Sequence, residues 1–140
     1  MKQIVWILVV LAFAAVTGNA QNNATPMPVF AIHQPTIIAF FPITQAGVKS
    51  GDNNEALSDF DYYISIAEAR LQSAGIEIHV VNERLFQIKV GKKTVHIQPK
   101  INETGYYLIA PGKEPHIEYG VMTDIDLCDA AHKYFGIAIH

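Results

Sequence analysis

The spacing of apolar positions changes along this chain, and each change marks an element. From Leu57 onward apolar residues stand three or four apart, at Leu57, Phe60, Ile64, Ala67, Leu71 and Ala74. That spacing puts them on one stripe of an amphipathic helix. Asn54 or Ser58 can cap its start, Glu55, Asp59 and Asp61 suit its positive end, and Gly75 is a natural stop. Before it, Thr36–Phe41 is a run closed by Pro42, the pattern of a strand covered on both faces. Val29–Ile32 predicts a short strand ahead of that run. After the helix, Ile76, Ile78 and Val80 alternate with Glu77 and His79, which predicts a strand over Ile76–Val81. Strand, helix and strand with a crossover this long predict a βαβ unit with parallel strands.

The second half reads as hairpins. Leu85–Val90 and Lys93–Gln98 turn at Gly91-Lys92, with Phe86, Ile88 and Val90 facing one way. Tyr106–Ala110 and His116–Tyr119 form a second hairpin across the Pro111–Pro115 turn. Thr123 then caps a closing helix whose apolar face is Leu127, Cys128, Ala131, Tyr134 and Phe135, and Gly136 ends it. Between the first strand and the first helix, residues 42–53 carry the turn residues Pro42, Gly47 and Ser50-Gly51-Asp52-Asn53, and read as a loop.

One apolar block has neither period. Lys2 precedes an uncharged run from Ile4 to Val16, and Thr17-Gly18-Asn19-Ala20 follows with small residues where a cut after Ala20 needs them. Residues 1–20 therefore read as a cleavable signal peptide, too short for the roughly 20 apolar residues of a span. Residues 21–28, with Pro26 and Pro28, read as a flexible lead, and residues 29–140 as one domain. The expected location is outside the cytoplasm, periplasmic or extracellular, with no stable membrane insertion once the signal is removed.

Composition narrows the partners. Thirteen acids against ten Lys and Arg give a formal charge of −3, and Lys92-Lys93 is an isolated basic pair at a turn. Nucleic-acid binding needs a basic stripe, so it is not expected. The single cysteine, Cys128, cannot close an internal disulfide, so packing alone must hold the domain. Asn23-Ala24-Thr25 and Asn102-Glu103-Thr104 match the N-glycosylation acceptor pattern.

The α/β order resembles the thioredoxin fold: a βαβ unit in a central mixed sheet, then β-hairpins and a C-terminal helix. The closest local likeness runs from Tyr106 to Gly136: an apolar strand, a Gly-Lys-Glu turn, a strand ending in Tyr119-Gly120-Val121, and Thr123-Asp124 opening the helix. The chain departs from that family where the family does its chemistry. The loop Pro42–Val48 holds no Cys-x-x-Cys pair, and Asn102-Glu103-Thr104-Gly105 stands where the family places a cis-proline. The resemblance thus implies a fold and carries over no catalytic residue.

The remaining candidates are side chains that chemistry can use. Cys128 lies on the apolar stripe of the last helix among Asp124, Asp126 and Asp129, surroundings that disfavour a thiolate. His33, His79, His96 and His116 sit in or beside strands and can serve an enzyme or a metal only if at least three ligands converge. Glu77 with His79, and His116 with Glu118, stand two apart and so share a strand face, the arrangement that tunes a general base. Gly47–Gly51 lacks the glycine that a phosphate-binding loop places before Lys49, and reads as a surface loop. Tyr107 and Tyr119, if they share an outer face of the last hairpin, would form a contact patch for a partner. The function expected from the sequence is a non-redox binding module for a protein or peptide, with no cofactor. An enzyme or metal binder built on the strand histidines is the alternative.

Overall fold

A computed structural model describes residues 27–41, 51–81, 86–98 and 103–140, with backbone alone over residues 51–54. The expected signal segment, most of the expected lead, residues 42–50 and the asparagines of both acceptor patterns, Asn23 and Asn102, lie outside the described residues. The elements are β1 (Val29–Ala31), β2 (Thr36–Phe40), α1 (Gly51–Ser73), β3 (Glu77–Val81), β4 (Phe86–Val90), β5 (Lys93–Ile97), β6 (Gly105–Ile109), β7 (His116–Tyr119) and α2 (Asp124–Phe135). Helix α1 begins at Gly51, three residues ahead of the expected Asn54 cap.

β2 organises the molecule because every one of its five residues is buried. It pairs parallel with β3 and antiparallel with β6, and β7 pairs antiparallel with β6, giving a mixed sheet in the order β3-β2-β6-β7. Side chains of a strand alternate between faces, so β2 feeds two cores. On one side Ile37, Ala39 and Phe41 meet Phe60, Ile64, Ala67 and Leu71 of α1 and Leu127, Cys128 and Ala131 of α2. On the other, Ile38 and Phe40 meet Ile32, Phe86, Ile88 and Ile97. The stripe Phe60-Ile64-Ala67-Leu71 is the one the helical period marks.

The second core is closed by a second sheet, and here the structure differs from the expected single central sheet. The hairpin β4–β5 turns at Gly91-Lys92 as its sequence dictates, with Val90 paired to Lys93. It leaves the central sheet and pairs with β1, which lies parallel to β4 in the order β1-β4-β5. The link from β1 to β2 is tied to both sheets: the Ile32 amide donates to the Lys89 carbonyl at 2.8 Å, and the Glu77 amide donates to the Pro35 carbonyl at 2.9 Å. The layers are therefore helices, four-stranded sheet, three-stranded sheet. Among the described residues no helix is long and apolar enough to cross a membrane.

The β7 end of the sheet is fixed by three local devices. At Gly105 a Cβ would stand 2.5 Å from the Glu118 carbonyl oxygen and 2.8 Å from Phe40 Cζ, so only glycine lets β6 and β7 close beneath that ring. The Met122 amide donates to the buried Tyr106 hydroxyl at 3.1 Å, pinning the chain as it leaves β7. Thr123 then caps α2: its hydroxyl oxygen accepts from the Asp126 amide at 3.2 Å and its proton goes to the Asp126 carboxylate at 2.8 Å.

Candidate functional site

β7 is the last strand of its sheet, and two different surfaces flank its outer edge. Its register sets Leu108 opposite His116 and Tyr106 opposite Glu118. Tyr106 and Leu108 face the helices, so His116 and Glu118 do too. Ile117 and Tyr119 face the other way, toward the second core, where the Tyr119 ring meets Phe40 edge-on at 6.1 Å between centroids.

On the helix side, α2 stands next to the strand and leaves a groove of about 300 Å³, lined by Lys113, His116, Glu118, Ala130, Lys133 and Tyr134. His116 Nε2 donates to Glu118 Oε1 at 2.7 Å. Because a carboxylate only accepts, that nitrogen carries the proton. The imidazole lies nearly parallel to the Tyr134 ring, 5.9 Å away and tilted by 19°. Lys113 Nζ sits 4.4 Å from the centroid of the same ring and donates to the Tyr134 carbonyl. The Tyr134 hydroxyl donates in turn to the Glu114 carbonyl. These contacts fold the Pro111–Pro115 turn back onto the end of α2. Burial, with the Glu114 charge second, pushes the Tyr134 phenol above its ordinary pKa, so it stays neutral at physiological pH.

The four strand histidines do not converge. His116 is at one edge of the four-stranded sheet on its helix face. His79 is at the other edge and faces the second sheet, its ring 5.0 Å from Phe30 and its Nε2 3.4 Å from Glu77 Oε2. His33 is exposed in the link between β1 and β2, and His96 lies on β5, where Gln87 Nε2 donates to its Nδ1 at 3.3 Å. Among the described residues no three His, Cys, Asp or Glu side chains come together as a metal-ligand set. Both His–Glu pairs read from the two-residue spacing do form, and both are partly exposed.

The two tyrosines share a face, as alternation requires, but that face is covered. Tyr107 is 4% exposed and packs edge-on against Phe86 at 6.0 Å; only Tyr119, at 36%, reaches the surface. The reason is the second sheet, which closes over the face that a single-sheet reading leaves open. Cys128 is buried between the helices, and burial pushes its thiol pKa up. Arg70 draws it down, while Asp124 and Asp129 add to the rise. Lys113, Lys133 and Tyr134 were not legible as site residues. Tyr134 lies on the apolar face of α2, and its position beside β7 follows only from the packing of the helix. No protein-family model, curated protein or solved structure matches the chain.

Proposed function

We propose that this chain is an exported, thioredoxin-like module without redox chemistry that binds a protein or peptide along the outer edge of β7. The fold reading is supported by the parallel β2–α1–β3 unit and the antiparallel β6–β7 pair, whose strands form one four-stranded sheet, and by the closing α2 packed on its face. The non-redox reading is supported by the chain's one cysteine, which lies 3% exposed in the core. The observation that carries the binding reading is that, among the described residues, no strand pairs with the outer edge of β7, which has a groove at its side. The Gly120 amide bonds to the Thr104 carbonyl at 2.8 Å. By the alternation of an antiparallel ladder, the Ile117 amide and carbonyl then point away from β6. An extended peptide can add there as a further strand, with main-chain hydrogen bonds giving affinity and the flanking surfaces reading its side chains.

The test is capture with the chain beginning at Gln21, from extracytoplasmic extract of its source, followed by the same binding with Ile117→Pro. Proline at an outward-facing amide keeps the inner ladder and removes the donor an added strand needs. A partner held by the parent chain and lost by more than tenfold on Ile117→Pro is the expected result. Equal binding by the variant rejects β7 as the surface, and failure to retain any partner reproducibly rejects the binding reading.

A further inference from the structure

Two ammonium groups, those of Lys113 and Lys133, line the groove beside β7 together with the carboxylate of Glu118. Among the described residues, the ion pairs are Arg70 with Asp124, His79 with Glu77 and His116 with Glu118. Neither Lys113 nor Lys133 is among them. Glu118, the one carboxylate lining the groove, is already engaged by His116. Lys113 is held in place by the Tyr134 ring and carbonyl, and two of its three N–H donors remain. Lys113 thus has no ion-pair partner among the described residues while its position is set, in a chain whose overall charge is −3. Glu114, close enough to act on Tyr134, and the carbonyl end of α2 oppose an anion here. Both lysines stand at that end and offset them.

We propose that this groove is a carboxylate pocket, which selects an acidic side chain on the strand that adds to β7. The inference rests on β7 being the docking edge. Successive residues of an added strand point to opposite sides. One set would reach the groove and the lysines, and the next would reach the apolar surface of Ile117 and Tyr119. The partner segment is therefore an extended peptide in which acidic and apolar residues alternate. The lysine ammoniums are the groups that meet the carboxylate. A groove of about 300 Å³ holds one such side chain.

The experiment is a backbone-amide NMR titration of the chain beginning at Gln21. The probes are a capped eight-residue peptide of alternating valine and glutamate, and its valine–glutamine counterpart. Shifts at Ile117, His116 and Tyr134, with at least tenfold tighter binding of the glutamate peptide, are expected. The Lys113→Gln, Lys133→Gln double variant should bind both peptides alike. Both lysines are at the surface, so the variant's spectrum away from the groove reports that it is folded. Equal binding of the two peptides by the parent chain overturns the carboxylate pocket while leaving the β7 edge in place. Loss of neither peptide's binding on Ile117→Pro overturns the edge. Absence of any shift with either peptide overturns the proposal, and a succinate titration that still moves His116 and Tyr134 then shows anion recognition without strand addition.

Discussion

At the scale of single residues, Gly105 shows how a position without chemistry shapes a site. Its missing side chain lets the Phe40 ring and the Glu118 carbonyl close over the start of β6. Gly105→Ala puts a methyl group against a backbone oxygen that is held in a ladder, so the strain has no easy release. The expected loss is about 1–3 kcal/mol, the usual range for an overpacked core, read as a lower urea midpoint at an unchanged m-value. The backbone there has an ordinary negative φ, so the cost is steric and not conformational.

At the scale of elements, α2 carries half of the groove, and its ends are set by its caps. Thr123→Ala removes the acceptor for the Asp126 amide and is expected to cost about 1 kcal/mol. Thr123→Ser should recover most of it, and thermal unfolding of the three proteins measures both. Much of this level is legible in the sequence. The stripe Leu57-Phe60-Ile64-Ala67-Leu71, the Gly91-Lys92 turn, the Thr123 cap and the Gly136 stop are all local, because each depends on neighbours within one or two turns of chain. The destination of β4–β5 is not local. Phe86, Ile88 and Val90 announce one apolar face, but nothing within the hairpin says which apolar face it covers. That choice is made by β1, three residues long, which passes straight into β2 and so carries its partners to the far side of the central sheet. Tyr107 is covered for the same reason. Its strand alternates correctly, yet a cover supplied from more than ten residues away decides whether the face is wet. At the candidate site, the spacing of His116 and Glu118 shows their pairing, whereas the approach of Lys113 and Tyr134 depends on how a five-residue turn folds back.

At the scale of the whole molecule, titration of buried phenols limits stability in alkali. Burial, with Tyr134 and Glu114 as further causes, pushes the Tyr107 pKa up to about 12, and burial also raises Tyr106. An unfolded tyrosine titrates near 10. Between pH 10 and about 12 the unfolded chain therefore releases a proton that the folded chain keeps, so ionisation favours unfolding. The stability linked to Tyr107 is fully present below pH 10. It falls by about 1.4 kcal/mol per pH unit above that and levels off past its folded value. Urea midpoints measured from pH 8 to 12 should decline along this course, and Tyr107→Phe should flatten the decline. With helices on one face of the central sheet and a second sheet on the other, the accessible surface of that sheet is its edges and the grooves beside them. The buried central strand has a further consequence, in time rather than in space. β2 is laid down early, but its partner β6 follows roughly 70 residues later in the chain. Contacts of such long range close slowly. Until the C-terminal hairpin has emerged, Ile37-Ile38-Ala39-Phe40-Phe41 is an uncovered apolar strand with no charge in it, the kind of segment that self-associates. The chain is thus most exposed to self-association during its own synthesis, before β6 closes on β2.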